Sequence, residues 1–247
     1  MSPRALMRIA GLILLFLVCA PPHVVSKRLL GRSAWPPRFL RAAARIAGAR
    51  VRIAGEPLGP HSLLIVNHVS WLDILIIGGA TGCAFVSKDN LGHGIIHWLA
   101  DQSATVYVKR SHVKGARDQA LTIARALEGD RPVALFPEGT TSPGTTLLPF
   151  RSTLLEAANY AAKDVAIRPV ALDYGAAASD LSWFEEPGKT NVLRTLGRRG
   201  SFAVTVHLLA PLDRSGNRKQ LAAEARAAIA AALGFKLDAH SPIATSE

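Results

Sequence analysis

A histidine and an aspartate five residues apart follow an apolar run of the chain. They are His68 and Asp73, in the stretch NHVSWLD that comes after LLIV. At about 100° per residue, the two side chains fall off a common stripe of a regular helix, so a strand-to-helix turn would have to bring them together. Ser70 or Asn67 could cap such a helix. If the pair forms, the aspartate holds one imidazole nitrogen protonated and leaves the other to take a proton from a hydroxyl. The alternative interpretation is an ordinary polar loop.

The sequence offers this base no protein nucleophile. It has no G-x-S-x-G turn, and Cys83 falls within a predicted strand, where a cysteine usually acts as a small buried hydrophobic residue. We therefore expect the nucleophile to be the hydroxyl of a substrate. Metal and cofactor motifs are also lacking: there is no P-loop, GHGIIH departs from the dinucleotide fingerprint at its last glycine, and His93 and His97 have metal-ligand spacing without a third ligand. The sequence predicts no metal and no bound cofactor.

A second stretch, PVALFPEGTTS, runs an apolar strand into a lone carboxylate. Glu138 stands at the predicted end of that strand, where ligands gather in sheets of parallel strands. Gly139 gives the turn conformational freedom, and Thr140 or Thr141 could cap a following helix. A tight strand-to-helix connection without function is the alternative.

Short strand-like runs alternate with helical patterns from about residue 62 onward. The strands are predicted at LLIV, CAFVS, ATVYV, PVALF, VAIRPVAL and FAVTVHLL, and the helices near 70–79, 91–100, 113–128, 152–162 and 217–233. This alternation predicts a single α/β domain with a largely parallel sheet covered by helices. The stretch 180–199 is interpreted as a basic excursion from the core, and the tail 239–247 as disordered.

The N-terminal region is predicted to be a membrane-associated helical segment. Residues 9–26 contain no charged side chain, but the most apolar run, IAGLILLFLVCA, is short of the about 20 residues of a spanning helix. A signal peptide, a spanning anchor and a segment in one leaflet are all compatible with it; the basic residues that follow favour a retained anchor. The next segment, WPPRFLRAAARIAGARV, is typical of a basic amphipathic helix against headgroups or of a solvated surface helix, and its place beside an apolar anchor favours the headgroups. We accordingly divide the chain into an anchor region, 1–50, and a domain, 51–238.

The composition favours anionic partners. The formal charge of +11 suits an acidic membrane surface, an acidic carrier protein or a nucleic acid. Aromatic residues are only 6% of the chain and the motif residues are neutral or acidic, which argues against nucleic acid. A basic module without catalysis, binding membrane or nucleic acid, remains the rival from another functional class.

NHVSWLD followed by FPEGTTS resembles the glycerolipid acyltransferase family that includes the 1-acylglycerol-3-phosphate acyltransferases, whose signature is an N-H-x-x-x-x-D block and a later F-P-E-G-T block. Two intermediate blocks fit in the same order, FVSKDNLGHGIIHWLADQSATVYVKR and AIRPVAL. The resemblance implies that His68 is the general base and that Asp73 orients it. It also implies an acceptor site, to which we assign Asn67, Arg110, Glu138, Gly139, Thr140, Thr141 and Arg151.

The same resemblance implies a reaction. The enzyme would transfer a fatty acyl group from an acyl carrier protein or coenzyme A thioester to the free hydroxyl of a lysolipid, in phospholipid biosynthesis. The N-terminal anchor with its flanking basic residues, and a chain with only two cysteines, separately predict that the protein sits on the inner (cytoplasmic) membrane with its catalytic domain facing the cytoplasm. Lysophosphatidic acid, giving phosphatidic acid, is the expected acceptor by family frequency.

Three departures from the family pattern concern the acceptor headgroup. Many members have arginine where this chain has Thr141, Lys109 replaces an acidic or amide residue before Arg110, and LPFRST replaces a frequent P-F-K-x-G. EGTTS and LPFRS look like bacterial acyltransferases that use a lyso-ornithine lipid. That lipid is the alternative acceptor.

Overall fold

Seven strands form one sheet in the part of the chain that the computed structural model describes, residues 1–88, 94–108, 115–214 and 216–237. The spatial order is β1-β7-β6-β2-β5-β3-β4, and all neighbours are parallel except the antiparallel pair β6 and β7. The predicted α/β class and the largely parallel sheet are confirmed. The strands are β1 Ala49–Gly55, β2 Ser62–Val66, β3 Ala84–Lys88, β4 Val106–Val108, β5 Val133–Leu135, β6 Ala166–Asp173 and β7 Phe202–Leu208.

Helices cover both faces of this sheet. One apolar core lies under α1, α2, α3, α7 and α8, and the other lies under α5, α6 and α9. The helices are α1 Pro3–Leu30, α2 Trp35–Ala47, α3 Leu72–Thr81, α4 Ile95–Gln102, α5 Gly115–Ala126, α6 Ala157–Tyr160, α7 Ala178–Leu181, α8 Gly188–Gly197 and α9 Arg218–Leu233. Short 3-10 turns precede α6 and α7, at Leu154–Glu156 and Gly175–Ala177.

The burial of the strands follows their place in the sheet. Every residue of the central strand β2, SLLIV, is buried, as expected for a parallel strand with helices on both faces. In β7, FAVTVHL, buried positions alternate with more exposed ones, as in a strand with one covered face. The functional loops follow the fully buried central strands, so the position of those loops is fixed by the core.

Helix α2 packs on α3 at very short range. A Cβ atom at Gly79 would lie 2.6 Å from the backbone nitrogen of Arg41, and one at Gly78 would lie 2.5 Å from a methyl of Leu40. The apolar face of α2 is therefore buried against the protein, and the prediction that it lies against headgroups is wrong. Because β1 also begins at Ala49, the predicted boundary at residue 50 divides a packed unit.

Helix α1 is longer than its most apolar run. It continues through Pro21 and Pro22, begins at a Ser2 side-chain cap and ends at Gly31 in the left-handed conformation. Its length and composition would allow it to cross a membrane, and signal sequences share both properties. Large apolar side chains lie exposed along it: Leu6, Met7, Ile13, Leu14, Leu17, Val18, Val25, Leu29 and Leu30.

Both ends of α1 contact the rest of the protein. Near its start, the Arg8 guanidinium donates to the carbonyls of Leu196, at 3.1 Å, and Gly200, at 2.8 Å, at the end of α8. Near its end, Lys27 Nζ donates to Gln102 Oε1 on α4 at 2.9 Å, and His23 Nε2 lies 3.0 Å from the same oxygen. Helix α1 is therefore held along the surface of the domain.

Candidate active site

The loop after β2 wraps around the carboxylate of Asp73. His68 Nδ1 lies 2.7 Å from Asp73 Oδ2, and the same oxygen accepts hydrogen bonds from the backbone nitrogens of Val69, at 2.7 Å, and Ser70, at 2.9 Å. The strand-to-helix turn thus forms the predicted pair. The predicted cap is wrong: α3 begins without a side-chain cap, because here the helical Asp73 accepts from the loop.

The geometry leaves one imidazole nitrogen for chemistry. Asp73 is completely buried, whereas the His68 side chain keeps a fifth of its surface exposed (20%). The ring stacks on Phe136, with centroids 4.2 Å apart and planes at 21°. Since Nδ1 faces Asp73, Nε2 is the nitrogen that can take a proton from a bound hydroxyl.

Tyr174 joins this pair, and the sequence analysis missed it. Its hydroxyl donates to Asp73 Oδ1 from the end of β6, and the side chain is buried. Burial raises the pKa of this phenol well above its usual value, so the hydroxyl stays protonated and acts as a donor. A polar aromatic residue just past a buried strand, in LDYG, was the available signal.

Glu138 ties two loops together. Its Oε1 accepts from the backbone nitrogen of His68 at 2.7 Å, and its Oε2 accepts from the backbone nitrogen of Leu148 at 2.9 Å. The carboxyl is buried, and burial raises its pKa to about 8, although the two N–H donors favour the charged form. Both oxygens are thus used within the protein, where the resemblance implied a headgroup ligand.

Gly139 and Arg151 lie against each other beside Glu138. Gly139 has φ +72°, which favours glycine, and a Cβ there would lie 3.1 Å from Arg151 Nε. The backbone nitrogen of Arg151 donates to the carbonyl of Pro137 at 2.8 Å. No described residue accepts a hydrogen bond from the Arg151 guanidinium, which lies exposed over the turn.

The remaining predicted acceptor residues have other positions. Asn67 is buried, and its side-chain amide pairs with the backbone of Leu172, accepting at 2.7 Å and donating at 3.2 Å, so it joins β2 to β6 and has a structural role. Thr141 donates its hydroxyl to the carbonyl of Trp183. Thr140 is exposed, and neither threonine caps a helix, because the next helical turn begins only at Leu154. Arg110 lies outside the described residues.

The stretch 180–199, predicted as a basic excursion, instead contains the end of α7 and all of α8 and buttresses the site. The backbone nitrogen of Trp183 donates to the Val69 carbonyl at 2.9 Å, and the Ser182 hydroxyl donates to the Ser142 carbonyl at 2.7 Å. The Ser142 backbone nitrogen in turn donates to the His68 carbonyl at 2.7 Å. The two motif loops are therefore held to one another.

Other possible reactive groups lie apart from this arrangement. Cys83 is buried just before β3, and burial raises the pKa of its thiol to about 12, which disfavours the nucleophilic thiolate. His97 stacks on Tyr107, and His93 lies outside the described residues. Within the described ranges, no three histidine, cysteine, aspartate or glutamate side chains come together as metal ligands would.

Replacing Glu138 with glutamine should flatten the pH dependence of stability. The folded pKa of about 8 lies above the usual 4.5. Protonation of Glu138 therefore contributes its full stabilisation below about pH 4.5, and this stabilisation is lost as the pH rises through 8. The wild type should lose up to about 5 kcal/mol of unfolding free energy over that range. The glutamine should remove this contribution, and it should lower acyl transfer because its amide nitrogen faces a backbone N–H.

Denaturant unfolding between pH 5 and pH 9 measures this difference, and the exposed Glu128→Gln provides the control. Parallel stability curves for wild type and Glu138→Gln would show that Glu138 is already ionised across the range.

Comparison with known proteins identifies the family of the chain. A family model described as Acyltransferase matches residues 50–173. The chain is 32% identical to the lyso-ornithine lipid O-acyltransferase of Rhodobacter capsulatus, over 83% of this chain and 79% of that protein. It is 33% identical to the protein of the same name from Pseudomonas aeruginosa, over 92% of this chain and 91% of that one. A 1-acyl-sn-glycerol-3-phosphate acyltransferase of Neisseria meningitidis is 28% identical over 55% of this chain and 50% of its own.

The fold has a solved counterpart. The crystal structure of the 1-acyl-sn-glycerophosphate acyltransferase PlsC from Thermotoga maritima superposes with a TM-score of 0.58, at 20% identity, over 82% of this chain and 80% of that one. At that identity the likeness shows the fold alone. The matched family model and the two relatives that align over most of their length show that the chain belongs to the acyltransferase family and is an O-acyltransferase.

Proposed function

We propose that the protein transfers a fatty acyl group from a thioester to the hydroxyl of a lyso-ornithine lipid. The observation that carries this choice of acceptor is the extent of the matches. The two relatives named for that lipid align over 79% and 91% of their own length, whereas the lysophosphatidic acid relative aligns over 50% of its length. The family frequency that favoured lysophosphatidic acid is weaker support than alignment over most of the length of two relatives.

The His68–Asp73 pair supports a direct transfer. His68 Nε2 takes the proton of the acceptor hydroxyl as its oxygen attacks the thioester carbonyl. The C–S bond then breaks, and the departing thiolate receives that proton from the imidazolium. Asp73, held at 2.7 Å from Nδ1, stabilises the positive imidazolium between these steps. A nucleophile on the protein is not required.

The positive charge described above Gly139, a single guanidinium, supports a zwitterionic acceptor. A phosphate monoester carries about two negative charges and is best held by several charge-assisted bonds, whereas one guanidinium fork matches one carboxylate. Arg151 is exposed above Gly139 and is available for such a fork. At position 141, a threonine bound to the Trp183 carbonyl contributes no positive charge.

Lysophosphatidic acid is the second candidate acceptor. The observation that favours it is also Arg151, because a guanidinium fork fits phosphate oxygens as well as a carboxylate. The two acceptors differ in charge, so a direct competition separates them.

The test is lipid mass spectrometry with the purified protein, one acyl thioester and equal amounts of both lysolipids. We expect the diacylated ornithine lipid to dominate. Arg151→Gln should raise KM for the acceptor about tenfold with little change in kcat, as loss of a charge-assisted bond in both ground and transition states does. Arg151→Lys, which keeps the charge, is the matched variant. Faster formation of phosphatidic acid would establish the second candidate instead.

The donor and the membrane location remain predictions of the sequence. The formal charge of +11 suits both an acidic carrier protein and the phosphates of coenzyme A. Helix α1, 28 residues or about 42 Å long, carries exposed apolar side chains, but both of its ends contact the same domain. We therefore propose that it lies within one leaflet. Thiol-reactive labelling of cysteines at Ser2 and Gly31 from one side of a vesicle tests this, because a spanning helix would expose only one of them.

A further inference from the structure

We propose that Tyr174 is a positioning residue that weakens the hold of Asp73 on the His68 proton and thereby sets the pH range of acyl transfer. This inference rests on the proposed role of His68 as general base. It gives Tyr174 a function in the reaction in addition to its packing in the core.

The donors to Asp73 come from two parts of the fold. Three of them, the His68 imidazole and the backbone nitrogens of Val69 and Ser70, belong to the loop that precedes α3, and all three reach Oδ2. The fourth, the Tyr174 hydroxyl, comes from the end of β6 and is the described donor to Oδ1. The tyrosine can therefore be changed without removing any bond that the His68 loop itself makes.

A hydrogen bond to a carboxylate spreads its negative charge and lowers its affinity for other donors. Asp73 is completely buried, so the hydrogen bonds that spread its charge come from protein groups rather than from bulk water. Without the tyrosine hydroxyl, Asp73 would attract the proton on His68 Nδ1 more strongly. The imidazolium would be stabilised, and the neutral base needed for the reaction would prevail only at higher pH.

The other charged groups around the pair do not replace this hydroxyl. From the loop after β5, Glu138 binds the His68 backbone nitrogen and faces Asp73 as a second carboxyl. From α9, Arg226 acts on Glu138, and Arg151 lies over Gly139. Helix α3 contributes no charged side chain except Asp73. Tyr174→Phe changes none of these groups, so we expect their effect on the pair to be the same in both proteins.

The first test is the pH profile of kcat/KM for Tyr174→Phe, with Tyr107→Phe as the matched control. Tyr107 also donates its hydroxyl to an aspartate, Asp101, at 2.7 Å, but on the exposed edge formed by α4 and β4. In Tyr174→Phe we expect the acidic limb to move up by about half to one pH unit, because a hydrogen bond to a charged group is worth roughly one to two pH units and only part of that effect reaches His68 through Asp73. The control should keep the wild-type limb.

A purely structural role for Tyr174 predicts a different result, namely a lower melting temperature with the acidic limb unchanged. That outcome would overturn the proposal. The proposed reaction itself would fail separately, by absence of acyl transfer in the wild type or by full activity of a His68 variant.

Fluorinated tyrosine provides a second test that preserves the shape of the side chain. The sequence has three tyrosines, so a Tyr107→Phe, Tyr160→Phe background incorporates 3-fluorotyrosine at Tyr174 alone. The fluorinated phenol is a stronger donor, so the limb should move to lower pH, opposite to the phenylalanine variant. The Nδ1 proton resonance of His68 should move upfield with fluorination and downfield in Tyr174→Phe. Shifts of the same sign for both changes, or no shift, would contradict the proposal.

Discussion

Replacement of His68 by alanine should lower acyl transfer by about 10²–10⁴-fold, the usual contribution of a positioned general base. The structure places the imidazole between a buried carboxylate and the exposed side of the site. Because the His68 backbone nitrogen and carbonyl make the bonds to Glu138 and Ser142, the alanine should keep the loop in place. Lysolipid binding should therefore change little.

The measurement is thioester consumption together with lysolipid affinity, and His61→Gln is the matched control. His61 precedes β2 and His68 follows it, so the two histidines stand at opposite ends of one strand. We expect the control to retain wild-type turnover. Near-normal turnover of purified His68→Ala would rule out this histidine as the base.

Asp73→Asn and Asp73→Ala should differ sharply in their loss of activity and of stability. In Asp73→Asn, the backbone nitrogens of Val69 and Ser70 require an oxygen at the Oδ2 position, so the amide oxygen should stay there and keep the proton on His68 Nδ1. The amide nitrogen would then face the Tyr174 oxygen, which can accept. The imidazole tautomer is preserved and only the negative charge is lost, so we expect about a 10–10²-fold loss, less than the roughly 10⁴-fold loss that follows a wrong tautomer in serine proteases.

In Asp73→Ala, four donors lose their acceptor in a buried site. Since an unpaired buried donor costs about 1–3 kcal/mol, the free energy of unfolding should fall by at least about 3 kcal/mol, with activity near background. Denaturant unfolding and initial rates of both variants measure the difference. Equal activity losses in the two variants would show that the amide has turned and that the tautomer was not held by the loop.

The sequence was sufficient to find the residues that act locally. His68 and Asp73 lie within one loop, and their pairing depends on a turn that the change from strand to helix makes predictable. Tyr174 meets Asp73 from 101 residues further along the chain, and that contact depends on β2 and β6 being neighbours in the sheet. No periodicity in a single sequence specifies the order of strands.

Residue type predicted which side chains were polar but not where their bonds go. The carboxylate of Glu138 and the amide of Asn67 have the chemistry of ligands for a substrate, yet both are used by backbone groups of distant segments. A buried polar side chain needs partners, and a protein backbone supplies them as readily as a ligand does. Burial, which the sequence does not give for a loop, decides between these roles.

The attachment of α1 at both ends has a consequence for the design of shorter proteins. Ala5 of α1 is part of the core with Ala44 and Ala47 of α2, and Ile9 and Leu12 pack against the same cluster. Removing the first thirty or so residues would uncover this apolar surface and leave the carbonyls at the end of α8 without Arg8. A truncated chain would therefore tend to aggregate rather than to dissolve as a free catalytic domain. Solubility is better sought by exchanging the outward apolar residues of α1 for polar ones while its inward face is kept.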